Sequence, residues 1–510
     1  MALNECLLST LYLSLSLFIG AVLLFNLARS TKTKTKSKSK SNLNLPPFPP
    51  KLPIIGNLHQ FGTLPHRSLR DLSLKYGDVM MLQFGQKKTP SLVVSSAQVA
   101  REIMKTHDLD FSNRSQTTAA KLVLYECNDI GFGNYGEDWR QKKKICVHQF
   151  LSAKMVESFR VRREEEVAEL VKKLREASSN DACNVDLREL FMSTPMNIIY
   201  KCVFGQNYSE HNYSKVKDSI RKAMAHLTDF TFRDHFPLLG WVDVLRGKIR
   251  EYKSTFKALD ASLDQAIDDY LTQNTHSKQN DFVAIHLQSQ NDSMLNFQVT
   301  RNNIKSITTD MLVGGADTIA STIEWTISEL VTNPAVMKKV QEEVRTVVGH
   351  KSSVEENDVN QMHYLKCVIK ETLRLHPPSP LLAPRETISS LKLKGYDIPA
   401  KTVVFINAWA IHRDPQLWES PEVFLPERFE NRQVDFKDQE YLQFIPFGFG
   451  RRGCPGVNFA TATIEYALAN LLYYFDWKLP ETDTLDMTEI FAFVVSKKVP
   501  LHLKPQPVSF

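Results

Sequence analysis

From about residue 140 to 380, apolar side chains recur at i, i+3 and i+4 with few prolines or glycines between them, which predicts a long helical block. Amphipathic helices bury their stripes only against one another, so this block must pack around a shared core. With 510 residues, 43% of them hydrophobic, the chain can fill such a core. Short β signals flank the block. Val79–Phe84 and Ser91–Ser95 read as strands, Ser96 as an N-cap for a helix to about His107, and Leu391–Leu393 with Gly395 and Thr402–Ile406 as a hairpin. A loop-rich stretch covers 412–457, a helical segment runs from Phe459 to about Leu472, and there are no internal repeats. The fold class is mainly α with minor β, a single large domain enclosing something in its middle.

Leu7 to Leu27 is almost wholly apolar or small, long enough as a helix to match a bilayer core. Only Glu5 is charged before it, whereas a basic run, Arg29–Lys40, follows; the positive-inside rule places everything after residue 28 in the cytosol. A cleaved signal peptide would carry its positive charges first. A buried core helix is disfavoured by the Thr/Ser-Lys alternation at 31–40, the composition of a solvated linker. Pro46, Pro47, Pro49, Pro50 and Pro53 then form a stiff hinge. The organisation is thus a transmembrane anchor at 1–28, a basic linker and hinge at 29–53, and a folded body at 54–510. The N-x-S sequons at Asn113, Asn207, Asn212 and Asn291 read as unglycosylated chance matches in a cytosolic body.

The net charge of +6 equals the six basic residues Arg29, Lys32, Lys34, Lys36, Lys38 and Lys40, so the body is neutral. A neutral body without a basic stripe excludes nucleic acid as the expected partner. The seven cysteines, Cys6, Cys127, Cys146, Cys183, Cys202, Cys367 and Cys454, form no close C-x-x-C pair, so neither a disulfide framework nor a zinc ribbon is indicated. Most read as small buried hydrophobes. Cys454 differs: it lies in Phe447-Gly-Phe-Gly450-Arg-Arg452-Gly-Cys454-Pro-Gly456, where glycines let backbone N–H groups approach a thiolate.

That stretch resembles the haem-binding signature of the cytochrome P450 family, F-x-x-G-x-R-x-C-x-G, at every fixed position. The resemblance implies that Cys454 is the thiolate ligand of a haem b iron, with Phe447 beside it and Arg452 on a propionate; a thiolate favours O–O cleavage. It implies a second motif across the haem, met by Gly314-Gly315-Ala316-Asp317-Thr318, where the Thr318 hydroxyl bonds the Gly314 carbonyl and Asp317 and Thr318 relay protons to oxygen. The family often places Thr or Ser after this threonine. Ile319 stands here instead, with Ser321 and Thr322 as possible substitutes.

Glu371-x-x-Arg374 is matched to the family's buried network with Arg428 of Pro426-Glu-Arg-Phe429; copies with the same spacing at Glu137/Arg140, Glu157/Arg160 and Glu342/Arg345 read as surface pairs. Trp139, Lys143 and Arg385 are the further propionate partners implied, Lys143 standing where arginine is common. Lys142 and Lys144 read as solvated and able to help dock an acidic reductase. Val313, Ala316, Leu381, Leu382, Ala383, Phe493 and Val494 are the implied substrate-lining residues.

The resemblance covers residues 46–505. The Trp-Arg-Gln, His376-Pro-Pro and Ala408-Trp409-Ala-Ile-His412-Arg-Asp segments resemble the plant microsomal class of specialised metabolism, although Phe48 departs from the usual hinge. It implies a catalytic domain at 54–510, held on the endoplasmic reticulum membrane and facing the cytosol. The activity implied is a monooxygenase that takes O2, electrons from NADPH through a separate reductase, and a lipophilic terpenoid, alkaloid or coumarin-like substrate. The alternatives are a haem-thiolate isomerase or dehydratase without O2, and a non-catalytic membrane haem- or lipid-binding protein.

Overall fold

The computed structural model describes residue 20 and residues 43–87, 89–178, 185–205, 210–273, 281–284, 300–431, 434–436, 441–479 and 484–508. Apart from residue 20, the anchor expected at 1–28 lies outside the described residues, as does the linker as far as residue 42. Among the described residues no helix is long and apolar enough to cross a membrane. The chain divides into two compact units, Met1–Leu45 with Gly395–Asp397 and Pro46–Lys394 with Ile398–Phe510; all the site residues belong to the second.

Helices dominate, as the apolar periodicity predicts. Those that carry the site are α1 (Glu137–Gln149), α2 (Leu187–Phe204), α3 (Glu210–Leu227), α4 (Lys248–Gln273), α5 (Arg301–Thr332), α6 (His363–Leu375) and α7 (Val457–Tyr474). A capping box starts α5: Thr300 Oγ1 accepts from Asn303 N at 3.2 Å, and Asn303 Oδ1 accepts from Thr300 N at 2.9 Å. Pro334 follows its end. Ile304, Ile307, Leu312, Ala316, Ile323 and Ile327 are all buried, so α5 is covered on several sides rather than along one stripe. At Gly315 the α2 helix comes so close that a Cβ would stand 2.5 Å from Ile199 Cδ1, whereas Gly314 has open space beside it.

The main sheet runs β1–β2–β5–β4–β3, from β1 (Val79–Leu82), β2 (Ser91–Val94), β3 (Asn113–Arg114), β4 (Arg385–Glu386) and β5 (Val403–Ile406). β5 is not the hairpin arm that the sequence suggests. It runs parallel to β2, with Leu92 opposite Val404, because Val404 and Ile406 bury their side chains there. Ser96 precedes the helix Ala97–Arg101 but makes no capping bond, and the chain continues as a π-helical turn, Glu102–Thr106. Register places Arg114 of β3 directly opposite Arg385 of β4.

A sealed ion-pair network holds the chain that leads to Cys454. Arg374 meets Glu371 at two points of 2.7 Å, both side chains fully buried, and Arg428 Nε donates to Glu371 Oε1 at 3.0 Å. Arg374 also donates to the carbonyls of His412, Pro421 and Val423. His412 extends the network: its Nδ1 lies 3.2 Å from the Arg374 carbonyl and its Nε2 accepts from Ile445 N at 2.9 Å. Those two bonds fix a neutral ring with the proton on Nδ1, and burial followed by Arg374 pushes its pKa down to about 3. The copies of the Glu-x-x-Arg spacing diverge. Glu137–Arg140 pairs at the surface, but Arg160 turns to Glu164 and Arg345 to Asp476.

Removing Glu371 strands the Arg374 guanidinium, so Glu371→Ala is expected to cost about 3–5 kcal/mol. Arg428→Ala removes one outer partner and is expected to cost about 1–2 kcal/mol. Urea unfolding followed by far-ultraviolet circular dichroism checks that order; equal losses would contradict it.

Candidate active site

The loop before α7 is shaped by backbone requirements. Gly448 and Gly450 have φ of 65° and 75°, and a Cβ on Gly450 would meet Met104 O at 2.5 Å. Cys454 N donates to Phe447 O at 2.9 Å, which folds the loop back and sets the thiol just before the N-terminus of α7. Cys127, Cys146, Cys202 and Cys367 are buried; Cys454 alone among the described cysteines is exposed, and it lines a cavity. Burial pushes its thiol pKa up, while the Gly456 N–H and Lys143 pull it back toward the thiolate.

The cavity measures about 310 Å³, and its lining brings Phe447, Cys454 and Gly456 together with Val313, Gly314, Gly315 and Thr318 of α5. Thr318 Oγ1 donates to Gly314 O at 2.8 Å. Thr322, one turn on, lines the cavity and donates to Thr318 O at 2.8 Å, whereas Ser321 turns away to Val495 O. Ile130, Phe132, Ile199, Leu382, Ala383 and Phe493 complete the apolar walls.

Cations gather at one edge. Arg114, Arg385, Arg452 and Lys143 all line the cavity. Arg452 donates to Ser112 O at 2.5 Å, Ile130 O at 3.3 Å and Gly133 O. Arg114 donates to Gly131 O at 3.1 Å and to Ala383 O, and Arg385 to Phe449 O at 2.7 Å and Asp108 at 3.2 Å. Lys143 reaches Arg451 O and Gly453 O. Burial lowers all four pKa values; next comes repulsion from Arg452 for Arg114 and Lys143 and from Arg385 for Arg452, with Lys143 pushed down to about 8. Trp139 lies against Arg452, ring centroid 4.1 Å from the guanidinium carbon, with its indole N–H committed to Ile130 O at 3.0 Å. Like charges placed directly across a ladder destabilise it, so Arg114 and Arg385 call for anions in the cavity. A thiol, a wall free of bulk at Gly314 and a surplus of cations fit a haem with its two propionates.

Several expected residues lie elsewhere. Asp317 does not share the cavity with Thr318. It lines a second cavity of about 270 Å³ with Arg188, Arg221, Met192 and Val494, where its Oδ1 has no hydrogen-bond partner among the described residues. Burial pushes its carboxyl up to about 6, with Arg221 pulling the other way. Ala316 is a core residue, because two residues beyond Gly314 is the opposite side of a helix. Leu381 packs with Leu69, Met80 and Val93; the positive φ of Leu382 turns that neighbour into the cavity instead. Val494 lines only the second cavity, and Phe493 lines both. Lys142, read as solvated, is buried because Asp138 and Asn128 bind it; Lys144 is exposed. The sequence reading missed Arg114, Ile130, Phe132 and Asp310. The signal for Asp310 was present, a lone acid one turn before Gly314 in an apolar run.

A cavity that exposes the Cys454 thiol and shares its lining with a glycine–threonine segment and a group of cations is the site of a haem-thiolate oxygenase. The family profile described as Cytochrome P450 matches residues 46–505, and the chain belongs to that family. It is 49% identical over 505 residues to a phenylacetaldehyde oxime monooxygenase of Prunus mume, covering 98% of this chain and 94% of that one. It is 46% identical to desmethylyatein synthase of Sinopodophyllum hexandrum, with 90% and 93% covered, and 45% identical to strychnine-11-hydroxylase of Strychnos nux-vomica, with 91% of each covered. A zebra fish cytochrome P450 solved with progesterone superposes with a TM-score of 0.74 at 23% identity over 88% of this chain and 100% of that one, which speaks to the fold. The chain is therefore a cytochrome P450 monooxygenase of the plant A-type class, a family whose members hold haem iron through a thiolate.

A carboxyl raised by burial is neutral more readily in the folded state, so its effect is absent below about pH 4 and becomes a penalty as pH rises through about 6. Asp317→Asn is accordingly expected to leave stability unchanged near pH 4 and to raise it by about 1–3 kcal/mol at pH 8. Unfolding midpoints across that range check the sign; a loss at pH 8 would contradict it.

Proposed function

We propose that this monooxygenase inserts one oxygen atom of O2 into a neutral, lipophilic plant specialised metabolite, with electrons from NADPH passed through a separate reductase. The observation that carries the proposal is the cavity whose lining holds Cys454 together with Gly314, Gly315 and Thr318, with apolar residues around them. Haem, when bound, supplies the activation of dioxygen; the protein supplies its ligand, its anchors and its protons. In this reading Cys454 is the iron ligand and Phe447 packs beside it. Arg452, Arg385, Lys143 and Trp139 hold the propionate edge, joined by Arg114.

Thr318 supplies a hydroxyl to the cavity, held by Gly314 O, and Thr322, whose hydroxyl donates to the Thr318 carbonyl, adds a second one a turn further along α5. In this reading Asp317 holds an exchangeable proton on the side of the second cavity, and Thr318 presents its hydroxyl in the first. Val313, Leu382, Ala383 and Phe493 shape the substrate, together with Ile130 and Phe132. The relatives are named for an oxime, for desmethylyatein and for strychnine, which supports a specialised metabolite as the substrate.

The place of action proposed is the endoplasmic reticulum membrane, with 1–28 as a single-pass anchor and the catalytic body in the cytosol. An exposed apolar group supports a membrane-facing surface: Leu238, Trp241, Val244 and Leu245 are 51–76% exposed, with Arg233, Arg246 and Lys248 close in sequence.

The test is a ferrous carbon monoxide spectrum followed by NADPH-dependent turnover with added reductase over a metabolite panel. Cys454→Ala is expected to abolish the thiolate band. Thr318→Ala is expected to keep that band, to divert electrons to hydrogen peroxide and to cut product per NADPH about tenfold or more. Unchanged coupling in the Thr318 variant would remove the proton role, and an imidazole-like carbon monoxide band in the parent protein would remove the thiolate.

A further inference from the structure

The segment Ile130–Gly133, between Cys127 and α1, is bound through its backbone on two sides. Its amides all donate to carboxylates: Ile130 N and Gly131 N to Asp310 Oδ2 at 2.6 and 3.3 Å, Phe132 N and Gly133 N to Asp129 Oδ1 at 2.5 and 3.0 Å. Its carbonyls all accept from side chains. Ile130 O takes Trp139 at 3.0 Å and Arg452 at 3.3 Å, Gly131 O takes Arg114 at 3.1 Å, Phe132 O takes Gln116 at 3.2 Å, and Gly133 O takes Arg452. The strip therefore stands between two acids and the cations of the cavity edge.

Asp129 belongs to the strip and closes it locally, whereas Asp310 comes from α5, 180 residues away. Asp310 is the acid that fastens the strip to that helix. Gly131 makes room for this contact, since a Cβ there would come within 3.2 Å of Asp310 Oδ1. Asp310 lines the cavity itself, so its remaining exposed surface faces inward. Burial and the charge of Asp129 raise its pKa.

We infer that Asp310 is a positioning residue for the haem edge: by holding the Ile130 and Gly131 amides it fixes the carbonyls that aim Arg452, Trp139 and Arg114. Neither Thr318 nor Cys454 depends on this contact, so the inference fails or stands separately from the oxygen chemistry. The same strip bears Ile130 and Phe132 on the substrate wall. Loosening it should therefore loosen haem retention and ligand fit together.

The experiment measures haem transfer from the full-chain holoprotein to excess apomyoglobin, with the dissociation constant for 4-phenylimidazole as a probe of the distal wall. Asp310→Ala is expected to speed haem loss about tenfold or more and to weaken the probe. Asp310→Asn, whose amide oxygen can still accept both N–H groups, is expected to stay within about threefold of the parent. Ile307→Ala, on the same helix in the core and outside the cavity lining, serves as the control for lost stability. Haem loss in Asp310→Ala no faster than in Ile307→Ala at a matched fall in melting temperature would overturn the inference. So would Asp310→Asn losing haem as fast as Asp310→Ala. Should Asp310→Ala yield no folded holoprotein, Gly131→Ala takes its place, pressing a methyl against Asp310 from the loop side; faster haem loss supports the inference and an unchanged rate overturns it.

Discussion

One guanidinium group and one carboxylate shut away from water at Arg374 and Glu371, joined at their edge by Arg428, set the terms for the rest of the molecule. Buried charge is tolerated only when every partner is in place, so the chain that supplies those partners has little freedom. Arg374 spends its remaining donors on the carbonyls of His412, Pro421 and Val423, and His412 passes the constraint to Ile445. From Ile445 the chain reaches Phe447, whose carbonyl accepts from Cys454 N. The position of one sulfur is thereby tied to an ion pair at the end of α6, through bonds that each leave no donor idle.

At the cavity the balance of charge is reversed. The β3–β4 ladder sets Arg114 opposite Arg385, and Arg452 adds a third guanidinium. Asp108 binds Arg385 and Arg451 rather than neutralising the group as a whole. Such an arrangement is poor for the protein alone and good for a dianionic cofactor. The acids that could have cancelled it, Asp129 and Asp310, instead face the amide side of the Ile130–Gly133 strip.

Much of this was legible in the sequence wherever spacing carries the chemistry. The glycines around Cys454 are spaced for a loop that only glycine can follow, and Thr318 stands one helical turn beyond Gly314. Glu371 and Arg374 lie on one helical face. What the sequence concealed depends on which way a helix or strand faces after packing. Ala316 and Leu381 are as apolar as Val313 and Leu382, and nothing local distinguishes a core position from a cavity wall. Lys142 looked solvated because its partner Asn128 lies in another segment, and β5 looked like a hairpin arm because its parallel partner β2 is about 300 residues earlier. Arg114 and Asp310 escaped notice for the same reason: their function lies in distant peptide groups, which composition does not reveal.

Phe493 belongs to both cavities, one bounded by the sulfur and the other by Asp317. Its side chain therefore contributes to two cavities at once, of about 310 and 270 Å³. A substitution at this one position alters the walls of both together.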